Sequence, residues 1–376
     1  MISFIQILLY TIFYLSLLYL LLILLFTFGW LKLKSGFEPE TKPKTRVSVV
    51  IAVRNEGKNI QKLLEALAGQ VYPKEMMEVL IVDDHSEDNT VEIVKDFAAL
   101  HKELRLNIIS SRGNGKKQAV STGIHNASGD FILTTDGDTR PSDRWVRKMT
   151  AYHETFHPKL ILGPVVYSKE DKMIQRFFSL DFISLVATGA GAAGAGIPFM
   201  GNAANMGFER SVFNDGLQEN FASGDDVFLI HHVKKNYGRK SIHFLKDPHA
   251  VVETPPPQNI RNFILQRLRW GSKAKGYKDL FSILTSMTVF VLNSGLALLF
   301  VTALFYHWLF PVWILFILLK TLVDLPLLQG FARLTGKTRL LILTFPFEFI
   351  YPFYITLTGL LAIFGKYEWK GRKNLS

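Results

Sequence analysis

The chain has no cysteine among its 376 residues, which excludes disulfide staples and thiolate metal sites. Acidic residues are also scarce: 32 Asp and Glu stand against 43 Lys and Arg, a formal net charge of +11. Such an excess suits nucleic acid, anionic lipid or an anionic small substrate. Charge of either sign is missing from Met1–Leu31 and again from Phe281–Leu319. The first stretch is long enough to cross a bilayer and lacks the basic start and small-residue cleavage site of a signal peptide, so it reads as a retained anchor. Lys32 and Lys34 follow it and place what comes next on the cytoplasmic side. No G-x-x-x-x-G-K-[ST] occurs, so a P-loop is not supported.

The second charge-free run predicts two spans broken near His307 and Pro311. A third apolar segment, Leu340–Phe364, carries Pro346, Glu348 and Pro352, which predicts a broken or re-entrant segment. Lys320 and Asp324 lie four apart in the second of these spans, either as a functional pair or as charges that neutralise each other.

Between the apolar ends, the pattern is alternating α/β. VSVVIAV (47–53) and EVLIVDD (78–84) are near-continuous apolar runs, as in strands covered on both faces. LNII (106–109) and FILTT (131–135) read as further strands. Residues 59–70 place Ile60, Leu63, Leu64 and Leu67 at helical spacing, and Ser86 is a candidate cap for the helix carrying Val91, Ile93, Val94 and Phe97. This order predicts a mostly parallel sheet with helices on both faces and a ligand site at the carboxyl ends of the strands. Two acidic pairs fall at such ends, Asp83 with Asp84 and Asp136 with Asp138. Side chains two apart on an extended segment point the same way and suit a hard divalent cation; an acidic turn capping a helix is the alternative.

These segments resemble, in order, the motifs of family 2 glycosyltransferases, over about Val47–Trp270. VSVVIAVRNE is similar to the opening strand and nucleotide loop, which implicates Asn55 and Glu56. VDDHSEDNT resembles the base-binding segment, with Asp84 as the contact and Asp83 beside it. GNGKKQAV resembles the segment that places Lys116 by the diphosphate, and TTDGD the D-x-D metal motif. SGDDVFL stands where the family has its E-D segment, which places the general base on Asp226; Asp225 replaces the usual glutamate. GNAANMGFER resembles the acceptor-side segment, with Asn202 as a contact. QRLRW is a full Q-x-x-R-W: Gln266, Arg269 and Trp270.

The resemblance implies a GT-A nucleotide-sugar domain (45–254) set between an anchor (1–31) and a C-terminal membrane region of about three segments (281–365). Residues 255–280, with Ile260, Phe263, Ile264 and Leu268 among Arg261, Arg267, Arg269, Lys273 and Lys275, predict a basic amphipathic helix in the headgroup layer. In the family this helix roofs the active site. The implied enzyme is a multi-pass, inverting transferase of the cell membrane with its catalytic domain in the cytoplasm. It takes a nucleotide sugar, a UDP-sugar, with Mg²⁺ or Mn²⁺, and gives the sugar to a lipid or glycan, with no nucleic acid as partner. A processive polysaccharide synthase is the alternative. Readings from other classes are a transporter and a zinc protease, the latter from HETFH (153–157) with Glu154 as base. GAGAAG (189–194) matches a dinucleotide fingerprint, but it follows no strand and is read as a flexible loop near the acceptor.

Overall fold

The computed structural model describes residues 2–36, 42–214, 226–272, 279–364, 368–369 and 372–373. They divide into two compact units: Gly29–Lys169 with Gly189–Pro255, and Met1–Phe28 with Glu170–Thr188 and Pro256–Ser376. The long helices α1 (Ile2–Lys32) and α6 (Met173–Gly194) lend residues to both.

The first unit is built on a seven-stranded sheet. Its strands are β1 (Val47–Val53), β2 (Met77–Asp83), β3 (Arg105–Ser110), β4 (Phe131–Thr134), β6 (Leu160–Leu162), β8 (Met206–Glu209) and β9 (Ile242–Phe244), in the order β3-β2-β1-β4-β8-β6-β9. All neighbours run parallel except β8, which is antiparallel to both β4 and β6. The apolar run of β1 is buried nearly throughout, as expected for a strand covered on two faces. Helix α2 (Ile60–Ala68) buries the predicted Ile60, Leu63, Leu64 and Leu67. A smaller sheet, β5 (Arg140–Pro141), β10 (Val252–Thr254) and β7 (Val165–Tyr167), has β10 at its centre.

Three local expectations are corrected. Ser86 does not cap α3 (Thr90–Leu100); its Oγ accepts the Asn55 N–H at 3.0 Å, and Asp88 Oδ1 accepts the Thr90 N–H at 3.1 Å. GAGAAG is not a loop but the last turns of α6. Its glycines are there for close approach: a Cβ on Gly29 of α1 would lie 2.0 Å from the Gly191 oxygen, and one on Gly194 would lie 2.1 Å from the Gly29 oxygen. Small residues let two apolar helices cross backbone to backbone. Finally, Glu154 of HETFH accepts hydrogen bonds from Lys44 N, Thr45 N and Thr45 Oγ1, each at 2.8 Å, so it anchors the segment leading into β1.

His153, on α5 (Trp145–Phe156), stacks on Phe131 at 4.4 Å, and burial pushes its imidazole below the ordinary histidine value. Burial lowers His243 likewise. Burial works against the charge of Glu78, but hydrogen bonds from Ser48 and Ser128 outweigh it and hold the carboxyl below its usual range. All three groups have a folded pKa below the unfolded one. Their contribution is therefore full above the unfolded values, about 6.5 for His and 4.3 for Glu, and is lost as pH falls through the folded ones. Melting temperature is expected to drop from about pH 6.5 downward and again below about pH 4.3. In the His153→Phe variant the first decline shrinks; an unchanged slope between those values would contradict this.

In the second unit, α9 (Ile260–Ser272) precedes α10 (Leu280–Phe305) and α11 (Leu309–Leu334), which break at 306–308 as predicted. Among the described residues four helices are long and apolar enough to cross a membrane: Phe4–Lys32, Met173–Gly194, Leu280–Phe305 and Leu309–Leu334. The second of these was not anticipated. The third apolar segment is indeed broken, into Thr338–Glu348 and Tyr351–Ala362, bent by 80°. Lys320 donates to Asp324 Oδ2 at 2.8 Å and to both oxygens of Glu348 at 3.1 and 2.9 Å, while Tyr19 donates to Asp324 Oδ1 at 2.7 Å. The charges satisfy one another inside the helices and tie the bend to α11, which favours the neutralising reading of Lys320 and Asp324.

Candidate active site

The carboxyl ends of β1, β2 and β4 are stitched together by short polar contacts. Asn55 adopts a left-handed backbone, φ 54°, which asparagine tolerates well. Its Oδ1 accepts the Glu87 N–H at 2.8 Å, and Glu56 N donates to Thr90 Oγ1 at 2.8 Å. Asp83 and Asp84 are buried. Asp83 accepts the Ser86 N–H at 3.2 Å, and Asp84 Oδ1 accepts the Gly115 N–H at 2.7 Å. The D-D segment thereby holds the glycine loop that opens α4 (Lys116–Asn126).

Asp136 and Asp138 lie in one turn rather than on the extended segment expected. Strand β4 stops at Thr134, and Asp136–Thr139 is a turn closed by Thr139 N–H to the Asp136 oxygen at 3.2 Å. Gly137 sits in a tight space: a Cβ there would stand 3.0 Å from Glu56 Cγ and Val53 Cγ1. Both carboxylates are half-buried, and Lys116 forms an ion pair with Asp136. Among the described residues no group of three or more His, Asp or Glu could by itself hold a metal ion. Two hard oxygen donors beside a lysine fit Mg²⁺ or Mn²⁺ only if diphosphate oxygens and water complete the shell, which is how such ions prefer to bind.

Opposite this turn, Asp226 begins α8 (Asp226–Tyr237); α7 is the short helix Arg210–Asn214. Asp226 Oδ2 accepts the Ala203 N–H at 3.2 Å and Oδ1 accepts the Val227 N–H at 3.1 Å. A carboxylate at a helix N-terminus is favoured by the dipole, which gives Asp226 a structural role at the start of α8. Asn202 caps the turn 203–205, its Oδ1 accepting the Ala204 N–H at 3.0 Å. Lys116, Asp136 and Asp226 line one small cleft with Thr134, Thr135 and Ala203, its lining completed by apolar side chains such as Val50, Val120 and Met206. Asp225 lies outside the described residues.

Gln266, Arg269 and Trp270 are on α9, in the helical unit. Trp270 packs against Phe182 at 5.8 Å. Arg267, counted among the basic residues set in the headgroup layer, is instead buried, because Asp181 of α6 pairs with it. Phe263 is buried, whereas Ile260 is exposed.

Two polar devices carry no motif and escape sequence reasoning. Thr134 Oγ1 and Thr135 Oγ1 donate to the oxygens of Ala203 and Ala204 at 2.9 and 2.8 Å, clamping β4 to the Asn202 loop. Asn205, fully buried, donates to Pro164 O at 2.8 Å and Ala250 O at 2.7 Å and accepts from Trp145 Nε1 at 2.8 Å. A lone asparagine in the apolar run NMGF was the available signal, since a buried amide must find partners.

Residues 48–214 match the glycosyl transferase family 2 domain. A dolichyl N-acetyl-alpha-D-glucosaminyl phosphate 3-beta-D-2,3-diacetamido-2,3-dideoxy-beta-D-glucuronosyltransferase of Methanococcus voltae is 26% identical over 332 residues, 85% of this chain and 93% of that one. Glycosyltransferase AglE of Haloferax volcanii is 41% identical over 102 residues, but the match spans 27% of this chain and only 33% of that protein. Among solved structures, the mannosyltransferase PcManGT from Pyrobaculum calidifontis, in complex with GDP-Man and Mn²⁺, superposes with a TM-score of 0.57 at 18% identity, covering 94% of this chain and 97% of that one. That likeness is one of fold. The ordered motifs, the sheet and these matches agree that residues 48–214 form a glycosyl transferase family 2 domain with the GT-A fold.

Proposed function

We propose that this protein is a membrane-bound inverting glycosyltransferase that moves a sugar from a nucleotide sugar, a UDP-sugar, to a lipid-linked acceptor. The observation that carries this is the cleft that gathers Lys116, Asp136 and Asp226. Asp226 takes the proton of the acceptor hydroxyl as its oxygen attacks the anomeric carbon. The bond to the nucleoside diphosphate breaks on the opposite face, its electron pair leaving with the phosphate oxygen, so the centre inverts. Lys116 meets the charge that builds on the diphosphate, an effect worth most in a preorganised, partly dry site. A divalent ion held by Asp136 and Asp138 would supply Lewis-acid stabilisation of the same oxygens. Asp83, Asp84, Asn55 and Glu56 form the nucleotide wall; Asn202, Asp225, Gln266, Arg269 and Trp270 are assigned to acceptor or diphosphate.

The functional division is an anchor (1–31), a cytoplasmic transferase domain (45–254), of which 170–188 belong to the helical unit, an interface helix (255–280) and a membrane region (281–365). A lipid acceptor is favoured over polymer synthesis because the Methanococcus voltae relative, matched over 85% of this chain, is named for a dolichyl-linked substrate. The test offers purified full-length protein a panel of radiolabelled UDP- and GDP-sugars with membrane lipids and Mn²⁺. One shifted lipid product is expected. A polymer ladder would overturn the acceptor assignment, and no incorporation from any donor would overturn the reaction.

A further inference from the structure

The Q-x-x-R-W signature leaves position 267 open, yet Arg267 is the buried centre of the segment. Its Nε donates to Asp181 Oδ2 at 2.7 Å, and its Nη2 lies 2.5 Å from the same oxygen. Its Nη1 donates to the side-chain oxygen of Gln266 at 3.2 Å. The guanidinium carbon Cζ lies over the Trp270 ring, 4.3 Å from its centroid, and over the Phe263 ring at 4.7 Å. Phe263 in turn stacks on Phe178 of α6 at 4.1 Å and on Tyr354 at 5.4 Å. One side chain thus touches two of the three signature residues, and it is fixed by a carboxylate on another helix. Asp181 is 2% exposed, in an otherwise apolar stretch of α6. An ion pair this buried is weak evidence for stability, since well-packed apolar residues often serve as well. Geometry is what it supplies: guanidinium has a fixed fork and a flat face, so it can orient an amide and an indole at once.

We propose that Asp181 and Arg267 are positioning residues that set Gln266 and Trp270 for the transfer reaction. Arg267 turns the Gln266 amide by holding its oxygen, and so presents the NH₂ group away from itself. It holds Trp270 by lying over its ring. Asp181 fixes the rotation of α9 about its axis, which an apolar contact alone would leave looser. The inference rests on the proposed role of Gln266 and Trp270 in binding acceptor or diphosphate.

The decisive variant removes both charges, Asp181→Leu with Arg267→Met. Single variants leave a buried charge without its partner and are expected to melt early. The double variant leaves none, and its melting temperature is expected to return to that of the unchanged protein. If the pair positions the signature, transfer stays roughly 10- to 100-fold down in kcat, the scale of a small misplacement near reacting groups. Recovery of transfer together with melting temperature would overturn the proposal. Should the double variant fail to fold, Arg267→Lys decides: it keeps the ion pair but loses the fork and the flat face. Lowered transfer at unchanged melting temperature, with a changed Trp270 emission (the difference from the Trp270→Phe protein), is expected; full transfer with unchanged emission would overturn it. Absence of transfer in the unchanged protein would instead refute the glycosyltransferase reading, so the two failures are separate.

Discussion

Replacing Asp226 with Asn is expected to abolish transfer while leaving the fold and nucleotide binding intact. The carboxylate has two separable duties. As a structural group it accepts the Ala203 N–H at 3.2 Å and sits at the start of α8. The amide oxygen of Asn can accept the same bond, so the Asn202 loop stays in place. As a chemical group it takes a proton, which an amide does not do. A positioned general base contributes about 10²–10⁴-fold in rate, and kcat is expected to fall by that factor. The affinity for UDP should change less than about twofold, or under 0.5 kcal/mol. Transfer kinetics with calorimetric UDP binding checks both; full activity would remove Asp226 as the base.

A large loss of stability is expected from Lys148→Met. Lys148 of α5 and Asp247 are each 1% exposed, with Nζ 3.1 Å from Oδ2, inside the sheet unit. Removing one partner of such a pair leaves a charge in low dielectric, a cost of about 3–5 kcal/mol. Asp247 cannot simply be deleted too, because its Oδ1 caps the turn 248–250 by accepting the His249 N–H at 2.8 Å. The double variant Lys148→Met with Asp247→Asn keeps an acceptor for that cap and carries no charge. It is expected to recover most of the loss in denaturant melts. A Lys148→Met protein as stable as the original would show that the pair is better solvated than its burial implies.

Much of the sheet is legible in the residues because burial on both faces leaves a near-continuous apolar run, as in β1 and β2. The helix faces of α2 and α9 are legible only where period and burial coincide: Leu63 and Leu67 obey it, whereas Arg267 is buried because of Asp181, which is distant in sequence. Helix α6 was hidden by its glycines, which lower helix propensity in isolation. Their value appears only with Gly29 opposite them, and a partner far along the chain leaves no local trace. The site residues stand out because chemistry restricts them to a few types in a fixed order. What holds them does not. Thr134, Thr135 and Asn205 act through hydrogen bonds to backbone oxygens, which have no sequence identity to read. The antiparallel insertion of β8 between β4 and β6 is equally silent, since a strand of four residues looks the same in either direction.

The most direct measurement is a crystal structure of the full chain with UDP and Mn²⁺, read at the manganese absorption edge. The account predicts one anomalous peak beside the carboxylates of Asp136 and Asp138, bridged to the diphosphate, with Lys116 drawn to the phosphate oxygens. Nucleotide bound in this cleft with manganese elsewhere, or no nucleotide there at all, would contradict it.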